Sequence, residues 1–185
     1  FNDGHGGNRA ESGRVFFSRP GRMRWEYESP ETKLFLADGK NVWFYVPADR
    51  TVSRAPVKES SDWRTPLALL TGKVHLNRLC GGIELVSPSA SSNDHPSRQG
   101  NAVLRCLPPK HDHAEGSEFF QEILFELDPQ NQLVRILIRE QGNMETEFHF
   151  ADWHENISIP ESKFHFEVPP GVAIVNQADL ASAAR

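Results

Sequence analysis

The chain has 185 residues, of which 38% are hydrophobic, with a mean hydropathy of −0.52 and a formal net charge of −5. That length suits one domain with a sizeable core, or at most two small ones. No run of about 18 apolar residues occurs, which excludes a helical membrane span, and the acidic balance argues against nucleic acid, whose phosphates need a basic face.

The chain holds 12 Phe and 4 Trp but only 2 Tyr. Phe brings apolar area without a hydroxyl that must be satisfied, so such a protein can fill a core or line a greasy cavity. Composition leaves both open. Cys80 and Cys106 form one disulfide in an oxidising compartment or stay free thiols in a reducing one, and their spacing does not decide. No Cys/His pattern has zinc spacing, so neither a metal nor another cofactor is expected.

Residues 1–12 are Gly-rich and polar and read as a loop or frayed end. A strand begins near Gly13, with Val15 and Phe17 on one parity, and Pro20–Gly21 breaks it. In the next run, RMRWEYE, Met23, Trp25 and Tyr27 alternate with Arg22, Arg24, Glu26 and Glu28. That pattern predicts one apolar face and one wet, charged face. KLFLA, the Asp38–Gly39 turn and NVWFYVP read as a hairpin, and residues 50–54 as a short strand. Pro66 opens PLALLTG as a first helical turn with Gly72 as its stop, and helix resumes over 74–79. IELVSP and AVLRCLPP read as strands, joined by the flexible stretch SASSNDHPSRQGN. EFFQEILFEL, LVRILIRE, METEFHFADW and KFHFEV follow, separated by turn residues. This spacing predicts an antiparallel meander in one sheet-dominated domain over residues 1–185. A sheet this long either closes or curves under a cover, and few helical pieces are present to cover it.

Several strings carry a family resemblance. RPGRMRWEYESP at 19–30, LFLADGKNVWFYVPADRTVSRAP after it, TPLALLTG, and KFHFEVPPGVAIV near the end stand in the order and spacing of the outer-membrane lipoprotein carrier LolA family. The resemblance spans roughly residues 13–176. It implies a mainly β (α+β) fold: a curved antiparallel sheet forming an incomplete β-barrel with short helices as a lid. It implies a periplasmic carrier, not an enzyme, that binds lipoprotein acyl chains. Such a carrier takes its cargo from an inner-membrane lipoprotein-release ABC transporter and passes it to an outer-membrane acceptor. A monomer is expected. The family's N-terminal amphipathic helix is not evident before Gly13, and the two cysteines are not a family hallmark.

The candidate acyl-binding set is the apolar parity of the strands: Val15, Phe17, Met23, Trp25 and Tyr27, with Phe148, Phe150 and Phe164 further on. Ordinary core packing is the bland account of any one of them. Counted by twos, Arg19 falls on the parity of Phe17 and Met23, and an arginine there needs partners for its five donors. The resemblance implies that Arg19, of the Arg-Pro pair, latches the lid to the barrel; the bland account is a strand-end arginine reaching water. Cys80 and Cys106, if bonded, tie the helical insert to the sheet. His111–Asp112–His113 has no third metal ligand and reads as a polar turn. Glu118, Glu122 and Glu126 share one parity and read as a solvated face. The alternative function is a related receptor of the LolB type, or a lipid-binding envelope-stress sensor with another acyl ligand.

Overall fold

The computed structural model describes residues 10–57, 76–87, 97–109, 120–142 and 144–176. The contacts divide the chain into two compact units, one made of 10–74 with 158–185 and the other of 75–157 with 1–9. Each is built on one sheet.

The first sheet has the order β1-β2-β3-β4-β5-β11. Its strands are β1 (Ser12–Ser18), β2 (Arg22–Ser29), β3 (Lys33–Ala37), β4 (Asn41–Val46), β5 (Thr51–Pro56) and β11 (Ala173–Asn176). The first five form an antiparallel meander. β11 returns to pair with β5 in parallel, its first amide donating to the Arg50 carbonyl. Local chemistry sets the turns. Asp38 Oδ1 accepts the amides of Lys40 and Asn41, both at 2.7 Å, and Gly39 supplies the positive φ the β3–β4 turn requires. At Gly13, where the β1–β2 register shifts, a Cβ would stand 1.9 Å from the Glu26 carbonyl oxygen. Only glycine permits that approach.

The sequence predicts a strand over KFHFEV. The structure instead has a 3₁₀ turn at Glu161–Phe164, and His165 follows in extended backbone without joining a sheet. The alternation of Phe164 and Phe166 has another cause. Phe164 packs under the Arg22 guanidinium, and Phe166 lies against Trp43 and Tyr45, each pair of centroids 5.5 Å apart. Both rings point down onto a sheet face, which needs the period of a strand but no pairing partner.

The second sheet has the order β10-β9-β8-β7-β6, antiparallel throughout. Its strands are β6 (Gly82–Val86), β7 (Ala102–Leu107), β8 (Phe120–Leu127), β9 (Leu133–Glu140) and β10 (Glu145–His149). A single helical turn, α1 (Leu76–Leu79), precedes β6. Cys80 follows it and is disulfide-bonded to Cys106 of β7, with the two Cα atoms 5.3 Å apart. The Pro66–Gly72 helix, the stretch 88–96 and His111–Asp112–His113 lie outside the described residues.

The fold class is mainly β. Among the described residues each sheet keeps two unpaired edges, so neither closes into a ring by itself, in keeping with an incomplete barrel.

Candidate functional site

The two faces of the first sheet differ in kind. One carries Arg22, Arg24 and Glu26 with Leu34, Leu36, Trp43, Tyr45 and Val52; the registers Arg24↔Leu36↔Trp43 and Glu26↔Leu34↔Tyr45↔Val52 place them together. It is covered in large part by the chain itself. Leu36 and Val52 have no exposed area, and Phe164 is buried. Arg22 Nη1 donates to Glu161 at 3.1 Å, Arg24 Nη1 to the Lys163 carbonyl at 3.2 Å, and Lys163 Nζ to Glu26 at 3.2 Å. Burial pushes the Glu26 carboxyl up, but its bonds from Arg24 and Lys163 outweigh that and leave its pKa lowered. The sequence reads this parity as a wet surface. The structure corrects that: only Glu28, paired with Arg14 at 3.3 Å, stays exposed.

The opposite face carries the candidate residues. Phe17 stands opposite Met23, Val15 opposite Trp25, and Gly13 opposite Tyr27. The Trp25 and Tyr27 rings stack, 5.4 Å between centroids. β3 continues the wall with Phe35 opposite Trp25 and Ala37 opposite Met23, and β4 adds Phe44 and Val42. Met23 and Ala37 are buried; Val15, Phe17, Trp25, Phe35 and Val42 pack around them half-buried, and Phe44 is 39% exposed. Lys33 borders the wall, bonded to Glu11, with its Nζ 5.5 Å from the Tyr27 ring centre. Burial, reinforced by the Glu11 charge, raises the Tyr27 hydroxyl to about 12, so it remains a neutral phenol. The arrangement offers a broad, uncharged, aromatic surface suited to hydrocarbon.

Five of the predicted residues therefore come together: Val15, Phe17, Met23, Trp25 and Tyr27. Phe164 does not join them; it lies on the covered face, beneath Arg22. Phe148 and Phe150 belong to the second sheet. Phe148 is opposite Ile136 of β9, and Phe150 lies just past β10, its ring 5.8 Å from Trp153 and beside a cleft of about 680 Å³. Arg19 occupies the β1–β2 turn, exposed, after the last paired residue Ser18. Counting by twos ends at that residue. Phe35, Ala37, Val42 and Phe44 went unnoticed in the sequence because KLFLA and NVWFYV are apolar on both parities. Only their register against β2 shows which side faces Trp25.

The second sheet shows a similar division. Glu122 and Glu126, read from sequence as solvated, are nearly covered. Glu126 accepts from the Arg98 amide at 3.0 Å and from Asn101 Nδ2 at 2.6 Å, and pairs with the buried Arg135. Glu122 is ion-paired with Arg105 and hydrogen-bonded by Arg139. Glu118 lies outside the described residues. Among the described residues no group of three or more His, Cys, Asp or Glu is placed to hold a metal.

The family model described as "Outer membrane lipoprotein carrier protein LolA" matches residues 3–80, which include the whole aromatic wall from Val15 to Phe44. Over that stretch the chain is similar to LolA. Curated relatives extend the similarity along about nine-tenths of the chain. The outer-membrane lipoprotein carrier protein of Chromobacterium violaceum is 29% identical over 171 residues, covering 92% of this chain and 75% of the relative. That of Aliivibrio salmonicida is 29% identical over 165 residues, covering 89% and 73%. That of Nitrosospira multiformis is 26% identical over 168 residues, covering 90% and 72%. These are named as carriers and not as enzymes.

Proposed function

We propose that this protein is a lipoprotein carrier and not an enzyme: it holds the acyl chains of lipoproteins against the Trp25 face of its first sheet. The observation that supports this most is the contrast between the two faces. One is covered by residues 160–166, while most of the aromatic one stays half-buried, with Phe44 exposed. Apolar area left in water at rest is area available to a ligand. Burying about ten methylenes there is worth about 8 kcal/mol, enough to hold a chain yet still reversible. The carrier works in the periplasm, receives its cargo from an inner-membrane release transporter and delivers it to an outer-membrane acceptor. The similarity to named carriers over about nine-tenths of the chain supports that reading.

Arg19 is the latch in this reading: from the turn between β1 and β2 its guanidinium can hold a covering segment by backbone carbonyls. Arg19→Leu should bind cargo normally and hand it on poorly. Transfer at the unaltered rate would remove the latch. Native mass spectrometry of freshly purified protein tests the carrier function itself. Co-purified acyl species, or uptake of a fluorescent fatty acid, is expected; absence of both would overturn it.

A further inference from the structure

On the Glu122 side of the second sheet, charge alternates strand by strand. Glu84 of β6 is opposite Arg105 of β7, which is ion-paired with Glu122 of β8 at 3.0 Å. Glu122 is opposite and bonded to Arg139 of β9, and Arg139 is opposite Glu145 of β10, bonded at 2.8 Å. The order from β6 is minus, plus, minus, plus, minus. Each charge is matched on both sides except at the ends. Glu84 sits at one end, 3.9 Å from Arg105 and with its side chain 60% exposed.

Among the described residues β6 is also an unpaired edge, and its other parity carries Ile83, 47% exposed, and Leu85, 74% exposed. An edge with large exposed apolar residues invites another strand. The other edges are guarded. β1 is interrupted by a register shift at Ser12/Gly13, β11 has four residues, and β10 presents Glu145, Glu147 and His149. β6 has neither a bulge nor a basic residue.

We propose that the edge of β6 is a strand-addition site for an extended peptide in which one Lys or Arg stands between two apolar residues. The peptide backbone extends the ladder of the sheet. Its cation lies opposite Glu84 and carries the alternation one strand further. Its two apolar neighbours, on the other face, cover Ile83 and Leu85.

The test uses the intact protein and two fluorescently labelled peptides, acetyl-Ser-Thr-Val-Lys-Val-Thr-Ser-amide and the same peptide with Glu for Lys, read by anisotropy. The unaltered protein should prefer the Lys peptide by about fivefold, the size of one cross-strand charge pair. Glu84→Lys should reverse the preference, and Leu85→Lys should lose both peptides. Both positions are exposed, so the variants fold. No binding, equal binding of the two peptides, or binding that Leu85→Lys leaves intact would overturn the proposal. Self-association in sedimentation that Leu85→Lys abolishes would assign the edge to a second copy of this chain and overturn it too.

Discussion

Arg24 and Trp25 are neighbours in β2 and face opposite ways: the guanidinium donates to the Lys163 carbonyl at 3.2 Å, while the indole joins the cluster around Met23. One residue step separates a face covered by the chain from the face proposed to hold acyl chains. Substitutions on the two sides should therefore fail differently.

On the open side, Phe44→Lys should change stability by no more than about 0.5 kcal/mol, because the ring is already substantially exposed. Binding of a fluorescent fatty acid should weaken by about tenfold or more, since a buried Phe is worth about 1.5–3 kcal/mol. Fluorescence titration beside urea unfolding separates the two effects.

On the covered side, Leu36→Ala should cost about 2–5 kcal/mol, the usual cost of emptying a fully buried leucine site. Urea denaturation reads it. Fatty-acid affinity of the folded fraction should stay as it was, because Leu36 faces away from Trp25.

Acid should act through Glu126. Burial pushes its carboxyl up, but bonds from Asn101, the Arg98 amide, Ser97 and Arg135 more than offset this, and its folded pKa is lowered. A lowered folded pKa means stability present above the ordinary carboxylate range and lost as pH falls through the folded value. Glu126→Gln should cost about 1–3 kcal/mol at pH 7, since Arg135 keeps Glu147. The variant should also show a flatter loss of stability below about pH 5. Urea midpoints across pH measure both.

The Cys80–Cys106 bond closes a loop with a sequence separation of 26 residues. Constraining a loop of that length stabilises the folded state by about 3–4 kcal/mol. Replacing both cysteines by serine should lower the urea midpoint accordingly, and adding reductant should move the unaltered protein the same way.

Much of this was legible in residue order. KLFLA is β3 to the residue, because a four-residue apolar run between Lys33 and the Asp38–Gly39 turn has room for nothing else. RMRWEYE betrayed its two faces because every second residue is charged. What covers a charged face was not legible. Arg24 and Glu26 look solvated until Lys163, 137 residues from Glu26, is placed against them. Glu122 and Glu126 misled for the same reason: their partners Arg105, Arg135 and Arg139 lie on other strands. Phe164 and Phe166 kept the period of a strand while serving as pegs. The parallel return of β11 onto β5 left no local mark, since four residues carry too little pattern.

The most direct test of the central claim is labelling with a photoreactive fatty acid, followed by peptide mapping. Adducts should fall on Trp25, Phe35 and Phe44 and be displaced by unlabelled fatty acid. Adducts concentrated on residues 160–167 and the Arg24 side, or labelling that unlabelled fatty acid does not displace, would contradict the account.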